Sequence, residues 1–277
     1  MPFNLDAYLA RIQFSGGYAP DLKTLQQIHL RHTCAIPFEN LDVLLERKIQ
    51  LDDDSVFAKL VTGGRGGYCY EQNALLRRAL VDIGFQVEDL GARVVIMRPP
   101  EMPPRTHRLQ LVTLGDERWL ADVGFGGKTL TSPIKLERNS EQTTPHGVYQ
   151  LSLIDEDYLL SVREGSEWLP LYRFDLQTQY FADYEVANHY VATWPASHFR
   201  HNLTVCLKVA AGQTITLSNN QLNVAGQKQA LPDAVAVYQA LQAQLGLRLD
   251  DKQQGIGLDT FTAAFNVVIQ QDKSITP

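Results

Sequence analysis

The sequence predicts an α+β protein in three parts: an N-terminal helical bundle over residues 1–84, a central antiparallel β-barrel or sandwich over 85–192, and a C-terminal α/β unit over 193–277. Three observations predict it. Apolar residues recur at helical spacing up to about residue 84. The pattern then shifts to short alternating runs separated by turn residues, and after about residue 180 helical and strand patterns mix. At 277 residues the chain is long enough for two or three units of the usual ~100 to 200 residues, and no repeat or low-complexity tract interrupts it.

In the first part, Leu22, Leu25 and Ile28 follow Pro20 and Asp21, a helix start, and Asp52 to Ser55 offer N-caps for VFAKLV, which stops at Gly63 and Gly64. Leu76, Ala79, Leu80 and Ile83 line one face of a further helix ending at Gly84. The strands expected between Phe85 and Phe174 are ARVVIM, HRLQLVTL, RWLADVGF, VYQLSLI, YLLSVRE and EWLPLYRF. A helix near FADYEVANHYVA follows. Two short strands, TVCLKVA and TITLS, and two helices, PDAVAVYQALQAQL and DTFTAAFNVVIQQ, complete the chain.

Composition narrows the function. An apolar fraction of 44% with 20% charged residues fits a globular protein. A net charge of −6 with no basic cluster argues against nucleic acid as a partner. No apolar run approaches the ~20 residues of a membrane span, and Asp6 and Arg11 stand where a signal peptide would need its apolar core. A cytoplasmic protein without a membrane partner is expected. Cys34, Cys69 and Cys206 are an odd number at wide spacings, which fits neither a disulfide framework nor a zinc site, so no metal is expected.

Cys69 stands out in GGRGGYCYEQN, directly after a glycine cluster and at the start of the helix that ends at Gly84. Unpaired N–H groups and the positive end of the helix dipole there favour a thiolate. The glycines, Gly63, Gly64, Gly66 and Gly67, allow close approach of backbone to a substrate. On position alone, a small buried thiol beside a plain chain turn explains the same residues.

A thiolate nucleophile needs a base, and the base an orienting group. His29 and His32 belong to an amphipathic helix, His198 and His201 in HFRH have metal-pair spacing but read as a solvated face, and His146 and His189 lack a partner pattern. His107 shares strand parity with Leu109 and Leu111 and so points to the apolar side, and Asp122 lies in the next strand. A two-residue Gly115-Asp116 turn pairs Leu114 with Glu117 and sets His107 opposite Gly124. Asp122 is then a diagonal neighbour on the same face, whereas a three-residue loop would put it on the other unless a bulge restored the parity. The chain order Cys69, His107, Asp122 is that of a papain-like nucleophile triad. GFGGKT, by contrast, is no P-loop, because Asp122 occupies the required glycine position.

Together RGGYCYEQN, THRLQLV, ADVGFGG and the earlier IPFENLDV resemble the arylamine N-acetyltransferases, bacterial type, including N-hydroxyarylamine O-acetyltransferases. The resemblance spans the chain and implies Cys69, His107 and Asp122 as the catalytic triad under a C-terminal α/β lid. It implies acetyl-CoA as co-substrate, a ping-pong route through acetyl-cysteine, and an aromatic amine, hydrazine or N-hydroxyarylamine as acceptor. It places Phe38, Val95, Phe125 and Phe199 around the acceptor and Thr106, Gly126 and Gly127 at CoA, pairs Arg65 with Glu39, and admits a homodimer. A cysteine hydrolase or transglutaminase-like enzyme would use the same triad, and a non-enzymatic scaffold would keep the fold without a reactive thiol.

Overall fold

The computed structural model describes residues 2–209 and 212–275, with side chains to residue 270; Met1 and residues 276–277, at the ends of the first and last expected parts, lie outside it. The chain begins with α1 (Leu5–Arg11) and α2 (Leu22–Ala35), whose start is capped as expected, the Asp21 carboxylate accepting the Thr24 N–H at 2.8 Å. There follow β1 (Phe38–Glu39), α3 (Leu41–Leu44), α4 (Asp53–Phe57) and α5 (Cys69–Ile83). Asp52 caps α4 through the Ser55 N–H, and a π-helical turn, Ala58–Thr62, carries α4 on to the glycines. At α5 the apolar face expected from Leu76, Ala79 and Leu80 is buried, but Cys69 to Asn73 are buried as well. The first turn of this helix is enclosed by protein.

The strands of the middle part are β2 (Gln86–Val94), β3 (Arg105–Leu114), β4 (Glu117–Ala121), β5 (Ile134–Lys135), β6 (Glu141–Thr144), β7 (Gly147–Ile154), β8 (Asp157–Glu164) and β9 (Glu167–Phe174). They form one antiparallel, barrel-like sheet in the order β5-β4-β3-β2-β9-β8-β7-β6. Two meanders are thus joined where β2 meets β9. The expected ARVVIM strand is shifted: β2 starts earlier, at Gln86, and ends at Val94.

Next come α6 (Phe181–Thr193) and α7 (His198–His201), then β10 (Thr204–Lys208), β11 (Thr214–Ser218), β12 (Gln221–Val224), β13 (Gln227–Ala230), α8 (Ala234–Ala243) and α9 (Leu258–Ile275). TVCLKVA runs as β10, and its last residue, Ala210, lies outside the described residues. These strands form a second sheet, β1-β10-β11-β12-β13, in which β1 from the first third pairs with β10 through Phe38 opposite Cys206.

β3 is buried on both faces and so separates two cores. Leu109 and Leu111 point into the barrel with Leu90, Tyr149 and Leu171, while Val112 joins Leu75, Leu76 and Ile28 of the helical layer. A third cluster fills the C-terminal part, and a fourth gathers Phe38, Tyr68, Cys69, Tyr70, Tyr184 and Cys206 where the layers meet. No helix among the described residues is long and apolar enough to cross a membrane.

Candidate active site

Cys69 is the first residue of α5 and only 6% exposed, with Sγ 3.8 Å from the Thr106 carbonyl oxygen. Buried charges fix the chain around it. The Tyr68 N–H donates to Glu71 Oε2 at 3.1 Å, as in half a capping box, and Lys59 Nζ lies 2.6 Å from both Glu71 Oε1 and Asp42 Oδ2. Burial pushes the Glu71 carboxyl up to about 6 against the Lys59 charge. Arg65, 1% exposed, donates to Glu39 Oε1 from Nε at 2.9 Å and Nη2 at 2.7 Å, and reaches Asp42 at 3.2 Å. The glycine cluster packs rather than merely turning. A Cβ on Gly66 would sit 2.1 Å from the Pro37 carbonyl oxygen, so β1 can lie directly against this loop.

Register brings the second and third residues together. Leu114 pairs with Glu117 and Gly115 has φ +60°, as a two-residue turn with glycine first requires. The ladder runs to Gln110 opposite Ala121, and extending it by three residues sets His107 opposite Gly124. Asp122 then shares the barrel face of Leu120, and His107 Nε2 donates to Asp122 Oδ2 at 2.8 Å. The carboxylate also accepts Tyr172 Oη–H at 3.0 Å on Oδ2, and Asn73 Nδ2 and the Gly124 N–H, both at 2.9 Å, on Oδ1. Every oxygen lone pair of this buried ion has a donor.

Electrostatics follow from that shell. Burial disfavours the His107 imidazolium, but the Asp122 charge, their hydrogen bond and the adjoining Cys69 outweigh it and push His107 up to about 10. Burial would raise the Asp122 carboxyl, yet His107, Asn73 and the Gly124 N–H hold it below the usual range. With Nε2 committed to Asp122, Nδ1 is the ring nitrogen left for the sulfur.

Asn73 and Tyr172 escaped the sequence reading. Asn73 had a signal, being one helical turn after Cys69 on the same face. Tyr172 had none, since it comes from β9, fifty residues past Asp122. His29 and His32 prove fully buried and are pushed down to about 3 and about 4 by burial, His29 Nε2 accepting the Asp122 N–H at 3.1 Å and His32 bridging Tyr8 and Gln72. His146 Nε2 donates to the Val209 carbonyl oxygen, His189 and His198 are exposed, and His201 meets the Pro195 carbonyl. Among the described residues no group of three or more His, Cys, Asp or Glu side chains could hold a metal ion.

The other sequence-selected residues divide. Phe125 stands 5.0 Å from the His107 ring, edge to face, and Phe38 faces Phe199 at 6.0 Å within the Cys69 cluster. Gly126 backs onto the Phe38 ring, and Gly127 is exposed with its carbonyl on Lys208 Nζ at 2.7 Å. Val95 follows β2, half-buried, its N–H on the Leu171 carbonyl at 2.9 Å; its side chain joins none of the four apolar clusters. Cavities of about 280 Å³ beside Lys59 and Glu71, and of about 360 Å³ beside Arg77 and Tyr184, are not lined by Cys69.

The chain is similar in sequence and fold to known proteins. A family profile described as N-acetyltransferase matches residues 21–254. The Escherichia coli arylamine N-acetyltransferase is 48% identical over 260 residues, 92% of each chain, and the Salmonella typhimurium arylamine N-acetyltransferase / N-hydroxyarylamine O-acetyltransferase is 45% identical over 256 residues, 91% of each. Among solved structures, an arylamine N-acetyltransferase from Salmonella typhimurium superposes with a TM-score of 0.92 at 43% identity, covering 95% of this chain and 97% of that one. The Mycobacterium marinum enzyme in complex with CoA does so at 0.90 and 35%, covering 96% and 99%. With the profile spanning most of the chain and identity near one half to enzymes of one activity, this protein belongs to the arylamine N-acetyltransferase family.

Proposed function

We propose that this chain moves an acetyl group from acetyl-CoA to an arylamine, arylhydrazine or N-hydroxyarylamine in two half-reactions, through acetyl-Cys69. The observation that carries it is the His107 imidazole, bound to Asp122 at 2.8 Å on one side and adjoining Cys69 on the other. Cys69 reacts as its thiolate. Sulfur attacks the thioester carbonyl, N–H groups at the start of α5 stabilise the oxyanion, and collapse breaks the bond to CoA, whose thiolate takes the His107 proton. Acetylation removes the Cys69 charge that had helped to hold that proton, so the imidazole is left as a base. The acceptor nitrogen, or hydroxyl oxygen, attacks the acetyl-cysteine and gives its proton to His107, and the Cys69 thiolate is expelled in its starting state.

Asp122 keeps the ring oriented and in one tautomer, and Asn73 and Tyr172 keep Asp122 in place. Phe38, Val95, Phe125 and Phe199 bound the acceptor, Thr106, Gly126 and Gly127 border CoA, and the part from residue 193 onward covers the site as a lid.

Acetyl-CoA alone tests the scheme. Enzyme mixed with it releases about one CoA per site and stalls, an aniline restarts turnover, double-reciprocal lines are parallel, and mass spectrometry finds one acetyl group on the Cys69 peptide. Continuous CoA release without amine would make the protein a hydrolase. Intersecting lines without acetylated Cys69 would mean direct transfer.

A further inference from the structure

Asn40, in the IPFENLDV segment, is 2% exposed and occupies the N-cap position of α3. An asparagine there ordinarily turns its side chain onto the helix it precedes. Asn40 makes no such bond, and Glu39 Oε2 accepts the Leu41 N–H in its place at 2.7 Å. The Asn40 amide instead reaches the segment around α7. Nδ2 donates to the carbonyl oxygens of Phe199 at 2.8 Å and Asn202 at 2.7 Å, and Oδ1 accepts the Thr204 N–H at 2.8 Å. All three partners are backbone groups, so the orientation of the amide is fixed by its neighbours.

The position follows from register. β1 and β10 pair through Glu39 and Val205, so the next rung would join residues 40 and 204. The main chain turns away into α3 there, and the Asn40 side chain makes that rung. The same amide holds carbonyls within and just after a weak element: α7 has four residues, none buried, too short a helix to hold itself. Phe199 rides on it, its ring 6.0 Å from Phe38, two residues before Asn40, and 6.1 Å from Tyr68, the residue before Cys69.

We infer that Asn40 is the positioning residue that sets Phe199 against Phe38, and thereby the shape of the acceptor pocket and the choice among aromatic amines, given the acetyl-Cys69 route and pocket walls proposed above. It touches neither substrate nor Cys69 and acts through Phe199. Its influence therefore falls on the second half-reaction.

Asn40→Ala and the isosteric Asn40→Asp, which keeps the acceptor for Thr204 but sets an oxygen against two carbonyls, are compared with Phe199→Leu and the double variant Asn40→Ala/Phe199→Leu. The burst of CoA from acetyl-CoA alone and the KM for a series of anilines of growing para-substituent are measured for each. For the two Asn40 variants we expect the burst rate to change less than about twofold, while KM for the bulkier anilines rises about tenfold, the scale of one or two lost hydrogen bonds. The double variant should match Phe199→Leu rather than multiply the two effects. An unchanged aniline profile with an intact burst overturns the inference, as do equal losses in both half-reactions or independent effects in the double variant. A wild-type enzyme without a burst would instead overturn the acetyl-cysteine route.

Discussion

His107 Nε2 and Asp122 Oδ2 meet at 2.8 Å although the residues are not paired across the sheet; they are diagonal neighbours beyond the last rung of the β3–β4 ladder. The contact depends on a carboxylate that accepts on both oxygens. In Asp122→Asn the amide NH₂ must face a donor, whichever way it turns, because His107 and Tyr172 occupy one oxygen and Asn73 and the Gly124 N–H the other. The imidazole then loses the tautomer that leaves Nδ1 for sulfur. The same change in a serine triad costs ~10⁴ in turnover, and we expect a loss of at least ~100-fold in acetyl transfer with the circular dichroism spectrum intact. Near-full activity in the folded variant would remove Asp122 from the mechanism.

Reactivity of the three thiols separates a nucleophile from a buried cysteine. Cys206 is 4% exposed and burial pushes its thiol up to about 11; burial also raises Cys34. Cys69 is scarcely more exposed than Cys206 but adjoins a charged imidazole. Iodoacetamide near pH 6, followed by peptide mapping, should label Cys69 at least ~10-fold faster than either. Equal rates would return Cys69 to the role of a small apolar side chain.

What could be read in advance was whatever depends on short-range rules. The β3–β4 hairpin was legible because a Gly-Asp turn fixes register, and register fixes which side chains share a face. The Asp21 and Asp52 caps were legible for the same local reason. β12 and β13 were not: Gln227–Ala230 is exposed throughout, so it carries no alternation to detect. β1 was hidden because two residues make no pattern and its partner lies far along the chain. Tyr172 reaches Asp122 only because β9 pairs with β2 rather than closing a simple meander, a choice made by barrel packing that no local stretch encodes.

The ion pair also leaves a signature in stability against pH. His107 is raised from 6.5 to about 10 on folding, so its contribution is fully present below pH 6.5 and is lost as pH rises through 10. Asp122 is lowered from 3.8, so its contribution is present above that value and is lost as pH falls through the folded one. The two overlap between about pH 4 and 6.5. We therefore expect the stability difference between wild type and His107→Gln, from urea titrations, to be greatest near pH 6 and to shrink by at least ~1 kcal/mol by pH 9.5, since a tenfold change in proton affinity is worth ~1.4 kcal/mol. A difference that stays flat or grows over that range would contradict a charged His107.

Gly124 tests how closely the barrel must approach the nucleophile helix. A Cβ there would lie 2.7 Å from Cys69 Cα and 2.8 Å from Asn73 Nδ2, with Cys69 Cβ at 3.2 Å. The backbone of α5 cannot rotate aside as the end of a long side chain could, and the Asn73 amide is held on Asp122 and on the Arg108 carbonyl. Gly124→Ala must therefore push the segment that follows β4, with Asp122 two residues away, off the start of α5. Overpacking of this kind costs ~1–3 kcal/mol. A displacement of ~1 Å between reacting groups costs ~100-fold in rate, so we expect a modest fall in Tm beside a loss of about two decades in acetyl transfer. Gly17→Ala, where nothing lies within 4 Å of the added carbon, serves as the control and should alter neither. If Gly124→Ala keeps wild-type turnover, the close packing of the Gly124 segment on Cys69 is not what aligns His107 and Asp122 with the sulfur.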